Sequence, residues 1–505
     1  MDTQDPISNS LRLKRLGIDS RNEHMVFMRS DCHVCLAEGF EALSRVRLSA
    51  GRRKLVASLI VLRDQTLLKQ NELSLSESAV KFLRVADGDL IRLSHLGSLD
   101  SMSDIRRKIY GHPLDENAFR RIVGDTTDLK LSNIQLSAFL AASAGDRLSR
   151  NEVVHLTRAM LDVGEKLSWS EPRVFDKHSV GGLPGNRTTP IVVSIAAAAG
   201  LTIPKTSSRA ITSPAGTADT METLTKVDLS ISKIRKVVKA EGGCLAWGGA
   251  VSLSPADDVL IRVERALDID SEGQMIASVL SKKAAAGATD VVIDIPCGPT
   301  AKVRSDKAAL DLSINMKAVG KAVGLRIETV ISDGSQPVGR GIGPALEAKD
   351  VLAVLQNRPD APGDLAERAV RLAGKLLEMA GKSASGKGKL LANEILGSGA
   401  AWEKFKRICQ NQGGLLTPPE AKFHHKIRAA TVGTIEFIDN RKIAKVAKLA
   451  GAPTARAAGV LLFVKLGQPV KRGQTLFEIH SEAEGELAYA LEYYGDNRDL
   501  IRISA

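Results

Sequence analysis

The stretch from Asp176 to Glu222 leaves this chain few ways to fold. It holds two polar loops rich in glycine and hydroxyl groups, with one apolar run between them. The first reads Asp176-Lys177-His178-Ser179-Val180-Gly181-Gly182-Leu183-Pro184-Gly185-Asn186. The alanine-rich run extends from Pro190 to Leu201. The second reads Lys205-Thr206-Ser207-Ser208-Arg209-Ala210-Ile211-Thr212-Ser213-Pro214-Ala215-Gly216-Thr217. The pattern predicts loops set on alternating strands and helices. Gly181, Gly182 and Gly185 let backbone N–H groups come close to a ligand without side-chain bulk. Thr188 or Thr189 is expected to cap the next helix, and Pro190 suits its first turn. That helix would point its positive end at the loop. Lys177 and Arg209 add full charges, and Thr206, Ser207, Ser208, Thr212, Ser213 and Thr217 add hydroxyls. Two such loops around one cavity suit phosphate plus a hydroxylated ligand. The plain alternative is a pair of surface turns. Neither loop is a Walker loop or a GxGxxG fingerprint.

A chain of 505 residues has room for several domains. Aromatic residues make up only 4% of it, which disfavours a stacking surface for single-stranded nucleic acid. The formal charge of +12 is spread along the chain, with clusters at Arg12/Lys14/Arg15, Arg52/Arg53/Lys54 and Lys382/Lys387/Lys389. Solvated faces and attraction of anionic substrates account for it. The five cysteines are odd in number and widely spaced, which fits a reducing cytoplasm rather than a disulfide framework. Cys32-His33-Val34-Cys35 has the spacing of half a zinc site, but no second pair follows at ligand distance. No bound metal is expected. The amino-terminal residues lack the signature of a secretory leader, and the run Ile191–Leu201 is too short to span a bilayer. No membrane partner is expected.

Residues 1–98 read as a β-rich domain, with apolar alternation at Leu11–Gly17 and Val46–Leu62 and turn signals at Asp87-Gly88-Asp89 and Leu96-Gly97-Ser98. Helical spacing begins after Ser101. Ser149-Arg150-Asn151-Glu152 is a capping box before a helix that Gly164 ends. Gly242–Gly249 reads as a strand with glycine at both ends, Ser254-Pro255 as a helix start, and Val291–Ile295 as a buried strand. The segment Gly381–Gly388 mimics a Walker A loop but lacks its final Ser/Thr and follows a helical pattern. It reads as a flexible basic loop.

The motif Asp176-Lys177-His178-Ser179-x-Gly181-Gly182 resembles the signature of the thymidine/pyrimidine-nucleoside phosphorylase family. Ser179-Val-Gly-Gly-Leu-Pro-Gly-Asn186 with Lys205-Thr-Ser-Ser-Arg-Ala-Ile-Thr-Ser213 is similar to its long branch, which includes AMP phosphorylases. The resemblance is dense from Asp128 to Leu355 and returns near the carboxyl terminus. It implies an α/β multidomain fold: a small amino-terminal β-barrel domain (1–98), a discontinuous all-helical lobe (99–168 and 254–286), a large α/β lobe with a mixed sheet (169–253 and 287–425), and a carboxyl-terminal β/α domain (426–505). It also implies a cytoplasmic homodimer or higher homo-oligomer working in pyrimidine nucleoside salvage.

The implied reaction is phosphate-dependent cleavage of the N-glycosidic bond of thymidine, giving free base and 2-deoxyribose 1-phosphate. The alternative is cleavage of AMP or another nucleoside 5′-monophosphate to base and ribose 1,5-bisphosphate. Either reaction needs a dianion held beneath the sugar, an oxocarbenium-like transition state kept from water, and help for the departing base. Inorganic phosphate is the co-substrate, and no cofactor is required. By resemblance, Lys177, Ser179, Gly182, Ser207 and Thr217 hold phosphate. Gly182, Ser208, Arg209, Ala210, Ile211, Thr212, Ser213 and Thr217 line the nucleoside or nucleotide, together with Ser278, Lys282 and Lys302. Asp270 matches the assigned proton donor of the AMP phosphorylase branch; its plain alternative is a solvated helix-end carboxylate. His178 titrates in the right range to protonate the base, or is a structural histidine. Shorter thymidine phosphorylases place an arginine against the pyrimidine where this chain has Val263, beside Arg262 and Arg265. A remote reading from another class is a basic nucleic-acid-binding module built on residues 1–98 and Cys32/Cys35. The missing aromatic clusters and second metal half-site count against it.

Overall fold

A computed structural model describes residues 9–20, 23–210, 213–267, 269 and 271–504. Its contacts divide it into two units: the chain up to Val163 with Pro255–Gln274, and Gly164–Ser254 with the chain from Met275 onward. The division falls inside one helix, Glu272–Ala285.

In the first unit, six strands close a barrel: β1 (Ser10–Leu13), β2 (Met25–Arg29), β3 (Arg45–Ala50), β4 (Arg53–Leu62), β5 (Glu72–Leu75) and β6 (Leu90–His95), in the order β1-β5-β2-β4-β3-β6. Alternation drives it. On β3, Val46 and Leu48 are buried while Arg47 between them is exposed. Leu11, Val26, Met28, Leu59, Leu73, Ile91 and Leu93 complete the interior. Closure leaves the barrel without a free edge. The Cys32-x-x-Cys35 pair is buried here. Cys32 caps the short helix His33–Glu38, its Sγ accepting from the Cys35 N–H at 3.2 Å. Among the described residues no third metal-binding group gathers beside it.

Helices Asp100–Ile109, Glu116–Thr127, Asn133–Ser143, Arg150–Asp162 and Pro255–Leu267 also belong to this unit. The capping box at Ser149 forms as the sequence predicts: the Glu152 N–H donates to Ser149 Oγ at 3.3 Å and the Ser149 N–H to Glu152 Oε2 at 2.9 Å. Ser132 and Gln135 make a second one. Val263, at the position where shorter phosphorylases carry arginine, is 6% exposed on the last helix.

In the second unit, β7 (Phe175–Ser179), β10 (Asp290–Cys297) and β11 (Arg326–Asp333) form a parallel sheet in the order β11-β10-β7, and β8 (Ile203–Ser207) pairs in parallel with β9 (Gly243–Trp247). The sequence reading expects a mixed sheet; these described strands instead pair in parallel. Helical crossovers between successive strands impose that direction. Helix Thr188–Ala198 explains the alanine-rich run. Its residues Thr188–Ala197 are all buried, against helices Gly363–Met379 and Ala400–Gln412. A helix apolar on every side must be surrounded. Both polar loops leave the carboxyl ends of parallel strands, β7 and β8, where ligands collect in open α/β sheets.

The remaining strands are β12 (Gly341–Ile342), β13 (Phe423–Arg428), β14 (Gly433–Ile438), β15 (Gly459–Leu462), β16 (Pro469–Val470), β17 (Thr475–Ser481) and β18 (Ile501–Ser504). They form a sheet β12-β15-β17-β13 and a sheet β16-β14-β18. Helices Asn440–Leu449 and Glu484–Asp496 pack with them around Ile435, Val446, Val460, Phe477 and Ile479. The Walker-like segment is a turn between two helices. The Glu378 carboxylate accepts from the N–H groups of Gly386 and Gly388 at 3.0 and 3.1 Å, filling the place an anion would take. Among the described residues no helix is long and apolar enough to cross a membrane.

Candidate functional site

Lys177 is the central residue of β7 and is 1% exposed. Its ammonium donates to the Thr188 hydroxyl at 2.7 Å and reaches that of Thr189 at 3.4 Å. This corrects the expectation that Thr188 or Thr189 caps the next helix. Arg187 is the cap residue, without a side-chain bond, and the threonine hydroxyls are drawn to the buried ammonium instead. Burial lowers the Lys177 pKa to about 8, with Asp294 opposing the fall.

The three loop glycines all have positive φ, yet they differ in what surrounds them. A Cβ on Gly182 would lie 2.6 Å from the Lys302 backbone nitrogen, and one on Gly185 would lie 2.1 Å from the Val338 carbonyl. Those two positions let other backbone close on the loop. Gly181 has nothing within 4 Å of its missing Cβ, so there the backbone faces open space. Ser179 Oγ donates to Asp294 Oδ2 at 3.1 Å, and Asn186 Nδ2 donates to the same oxygen at 2.9 Å. Ser332 Oγ donates to the other Asp294 oxygen at 2.5 Å. Asp294 is fully buried, on β10 next to β7.

Ser207 ends β8. Its hydroxyl is buried and has no hydrogen-bond partner among the described residues. The loop beyond it is pinned by Asp219, whose Oδ2 accepts from the N–H groups of Ala210 at 2.6 Å and Gly216 at 2.8 Å. Arg209 makes a bidentate pair with Glu222 at 2.7 and 2.9 Å and lies over the Trp247 ring at 4.8 Å. Its charge is therefore met within the lobe. Ser208 is exposed, its carbonyl accepting from the Ala218 N–H, and Ser213 Oγ donates to the Ala215 carbonyl. Ile211 and Thr212 lie outside the described residues, as does Asp270.

Arg187 joins the loops. It donates to Glu347 Oε2 at 2.6 Å, to Thr217 Oγ1 at 2.7 Å and to the Ala215 carbonyl at 2.8 Å. Thr217, matched to phosphate by resemblance, is thus tied to the exit of the first loop. A cavity of about 280 Å³ lies beside the second loop, lined by Arg209, Ala210, Asp219, Glu222, Pro453, Thr454 and Arg456. It touches none of Lys177, Ser179, Ser207 or Thr217.

On β7 itself, Asp176 is 2% exposed and takes the ammonium groups of Lys205 at 3.0 Å and Lys283 at 2.7 Å. Burial alone would raise its carboxyl pKa; the two lysines outweigh burial and hold it below the usual range. His178 is half-buried. Its pKa falls well below that of a free imidazole, first through burial and then through Lys283, Lys205, Lys282 and Lys177. At neutral pH it is a neutral hydrogen-bonding ring rather than an imidazolium acid. Lys282 and Ser278 are half-buried on the helix that carries Lys283, within the second unit rather than the helical one where the sequence reading put them.

The structure therefore brings Lys177, His178, Ser179, Gly182, Lys302 and the charge of Lys282 to the end of β7, and Ser207 and Thr217 to the neighbouring loop. Sequence reasoning missed Arg187, Asn186, Asp294 and the Asp176–Lys205–Lys283 cluster. Asp294 had a visible signal, a lone acid within the apolar strand Val291–Ile295.

Comparison with known proteins gives the family. The pattern described as "Glycosyl transferase family, a/b domain" matches residues 171–402, covering both loops. The family's helical bundle domain matches 104–164, and the "Pyrimidine nucleoside phosphorylase C-terminal domain" matches 434–499. A protein of Legionella pneumophila (strain Paris) named "Putative thymidine phosphorylase" is 55% identical over 98% of this chain and 95% of its own. This chain belongs to the thymidine/pyrimidine-nucleoside phosphorylase family. A Chelativorans relative of the same name is 54% identical over 99% of this chain and 98% of its own. The family makes the chain a pentosyltransferase. Anthranilate phosphoribosyltransferase from Thermus thermophilus shares the fold, with a TM-score of 0.51, 20% identity, and coverage of 61% of this chain and 99% of that one.

Proposed function

We propose that this phosphorylase cleaves the N-glycosidic bond of thymidine with inorganic phosphate, releasing thymine and 2-deoxyribose 1-phosphate. The observation that carries the reading is the pair of loops at the ends of β7 and β8. They offer the Lys177 ammonium, the unpartnered Ser207 hydroxyl and the open backbone at Gly181, fixed to one another by Arg187. Lysine and hydroxyl donors suit a phosphate dianion, and the buried setting strengthens each contact as the glycosidic bond stretches. In this reading Ser179, Gly182 and Thr217 complete the phosphate cradle. Ser208–Ser213, Ser278, Lys282 and Lys302 face the nucleoside, and Asp270 gives the proton to the departing base. His178, neutral, hydrogen-bonds beside it. The reaction asks for no cofactor.

A second reading, cleavage of a nucleoside 5′-monophosphate, is favoured by Val263. A buried apolar side chain offers no donor to a pyrimidine carbonyl. Thymidine, uridine, cytidine, adenosine and their 5′-monophosphates, incubated with and without phosphate, separate the readings by the free base released. Phosphate-dependent release of thymine from thymidine is expected. Release only from a monophosphate selects the second reading, and equal release without phosphate or arsenate makes the enzyme a hydrolase and ends both.

A further inference from the structure

The sheet β12-β15-β17-β13 carries a cluster of ligating groups far in sequence from the two loops: His424 on β13, and Glu478 and His480 on β17. The strands are antiparallel, and His424 stands directly opposite His480. Glu478 is two residues before His480, so strand alternation puts the three side chains on one face. Phe477 and Ile479 occupy the other face, in the hydrophobic core. One ligand atom from each of the three lies within 4.8 Å of the others.

Three details set this cluster apart from an ordinary ion pair. His424 Nε2 is 2.8 Å from the Ala421 carbonyl oxygen. A carbonyl only accepts, so Nε2 carries a hydrogen and anchors the ring, which turns Nδ1 toward Glu478 Oε1 at 3.1 Å. A cation between Nδ1 and that oxygen, a proton or a metal ion, holds the two together. His480 adds a third donor: the residue is 9% exposed, its Nε2 has no hydrogen-bond partner among the described residues, and it stands 3.8 Å from the same carboxylate oxygen. Tetrahedral zinc, with bonds of ~2.0–2.1 Å to nitrogen and oxygen, separates neighbouring donors by about 3.3–3.4 Å. The two distances here fall on either side of that spacing. A ligating imidazole anchored through its other nitrogen to a carbonyl is also the usual outer-shell arrangement of metal sites. The nearby Lys349–Glu420 pair, 3.0 Å apart, is neutral overall and does not supply the cation.

We propose that His424, Glu478 and His480 bind one divalent transition-metal ion of the zinc class, with solvent completing the coordination. Two imidazoles and one carboxylate select such an ion over magnesium or calcium, which prefer oxygen. The ion clamps β13, the terminal strand of its sheet, onto β17. It takes no part in the phosphorylase reaction proposed above and does not rest on it. Sequence spacing does not show the site, because His424 and the Glu478/His480 pair meet only through strand register.

The test uses the full-length protein, stripped with a chelator and desalted, titrated calorimetrically with zinc chloride and melted with and without the ion. One zinc per chain is expected, at micromolar affinity or tighter, with a rise in melting temperature. His424→Ala/His480→Ala should lose binding by about a hundredfold or more and abolish the thermal rise. Glu478→Gln keeps the side chain's shape and should weaken zinc at least tenfold, which preserves the test if the double variant does not fold. Cys32→Ser/Cys35→Ser should bind as the parent does. Absence of binding below millimolar zinc overturns the proposal. So does unchanged affinity in Glu478→Gln, or loss of binding in the cysteine variant alone.

Discussion

Lys177 shows what a single residue does when burial and charge compete. The sequence places it in a loop; it lies in a strand, 1% exposed, with a pKa lowered to about 8 and two threonine hydroxyls beside it. Truncation to alanine would therefore also open a cavity. Lys177→Met keeps the volume and removes the charge. It is expected to lower kcat/KM for phosphate by roughly a hundredfold or more, the equivalent of about 3 kcal/mol of transition-state stabilisation, while the protein still melts cooperatively. A pH profile gives a second reading of the same group. The protonated amine attracts the dianion, so kcat/KM for phosphate should fall as pH rises through about 8. Lys177→Arg, which stays charged, should carry that limb to higher pH. Near-parental activity in Lys177→Met would remove this side chain from the phosphate site. The motif singled out this lysine. Its burial was not, because nothing in the local pattern says that helix Thr188–Ala198 closes over it.

At the scale of elements, β10 was legible because the β-branched run Val291–Ile295 reads as a buried strand, whereas Asp176–Ser179 and Lys205–Ser207, polar enough to read as loop, are parts of strands β7 and β8. The Ser149–Glu152 box was legible too, since its two bonds are local. Thr188 and Thr189 misled, because a distant ammonium outcompetes a local cap. The ties between strands were not legible, since Asp294 meets Ser179, Asn186, Ser332 and Arg368 only through tertiary packing. Removing its carboxylate takes the acceptor from Ser179, Asn186 and Ser332 at once. Asp294→Ala should cost about 3 kcal/mol or more in urea denaturation, with Asp294→Asn recovering part of it. A cost below about 1 kcal/mol would mean that β7 and β10 hold their register without this tie.

Across the whole molecule the formal charge is +12, and the substrates of the proposed reaction include a dianion. Raising potassium chloride from about 0.05 to 0.5 M shortens the screening length from roughly 14 to 4 Å. Over that range kcat/KM for phosphate should fall several-fold while the melting temperature moves little. A salt-independent rate would confine the attraction to the loops themselves. The closed barrel of the first unit was expected only as a β-rich domain from residues, and as a barrel from resemblance. Closure depends on pairing β1 with both β5 and β6, which alternation within one strand does not encode.

Arg187 holds the exits of both loops and a buried carboxylate with one planar group. Mechanically, the two loops then form a single clamp, and a displacement of one is transmitted to the other through a rigid fork. Substitutions on the two loops should not combine independently, because each alters the ground the other stands on. Descendants of this sequence that reshape one loop for a new ligand are therefore constrained to reshape the other with it, and the pair drifts as one inherited unit.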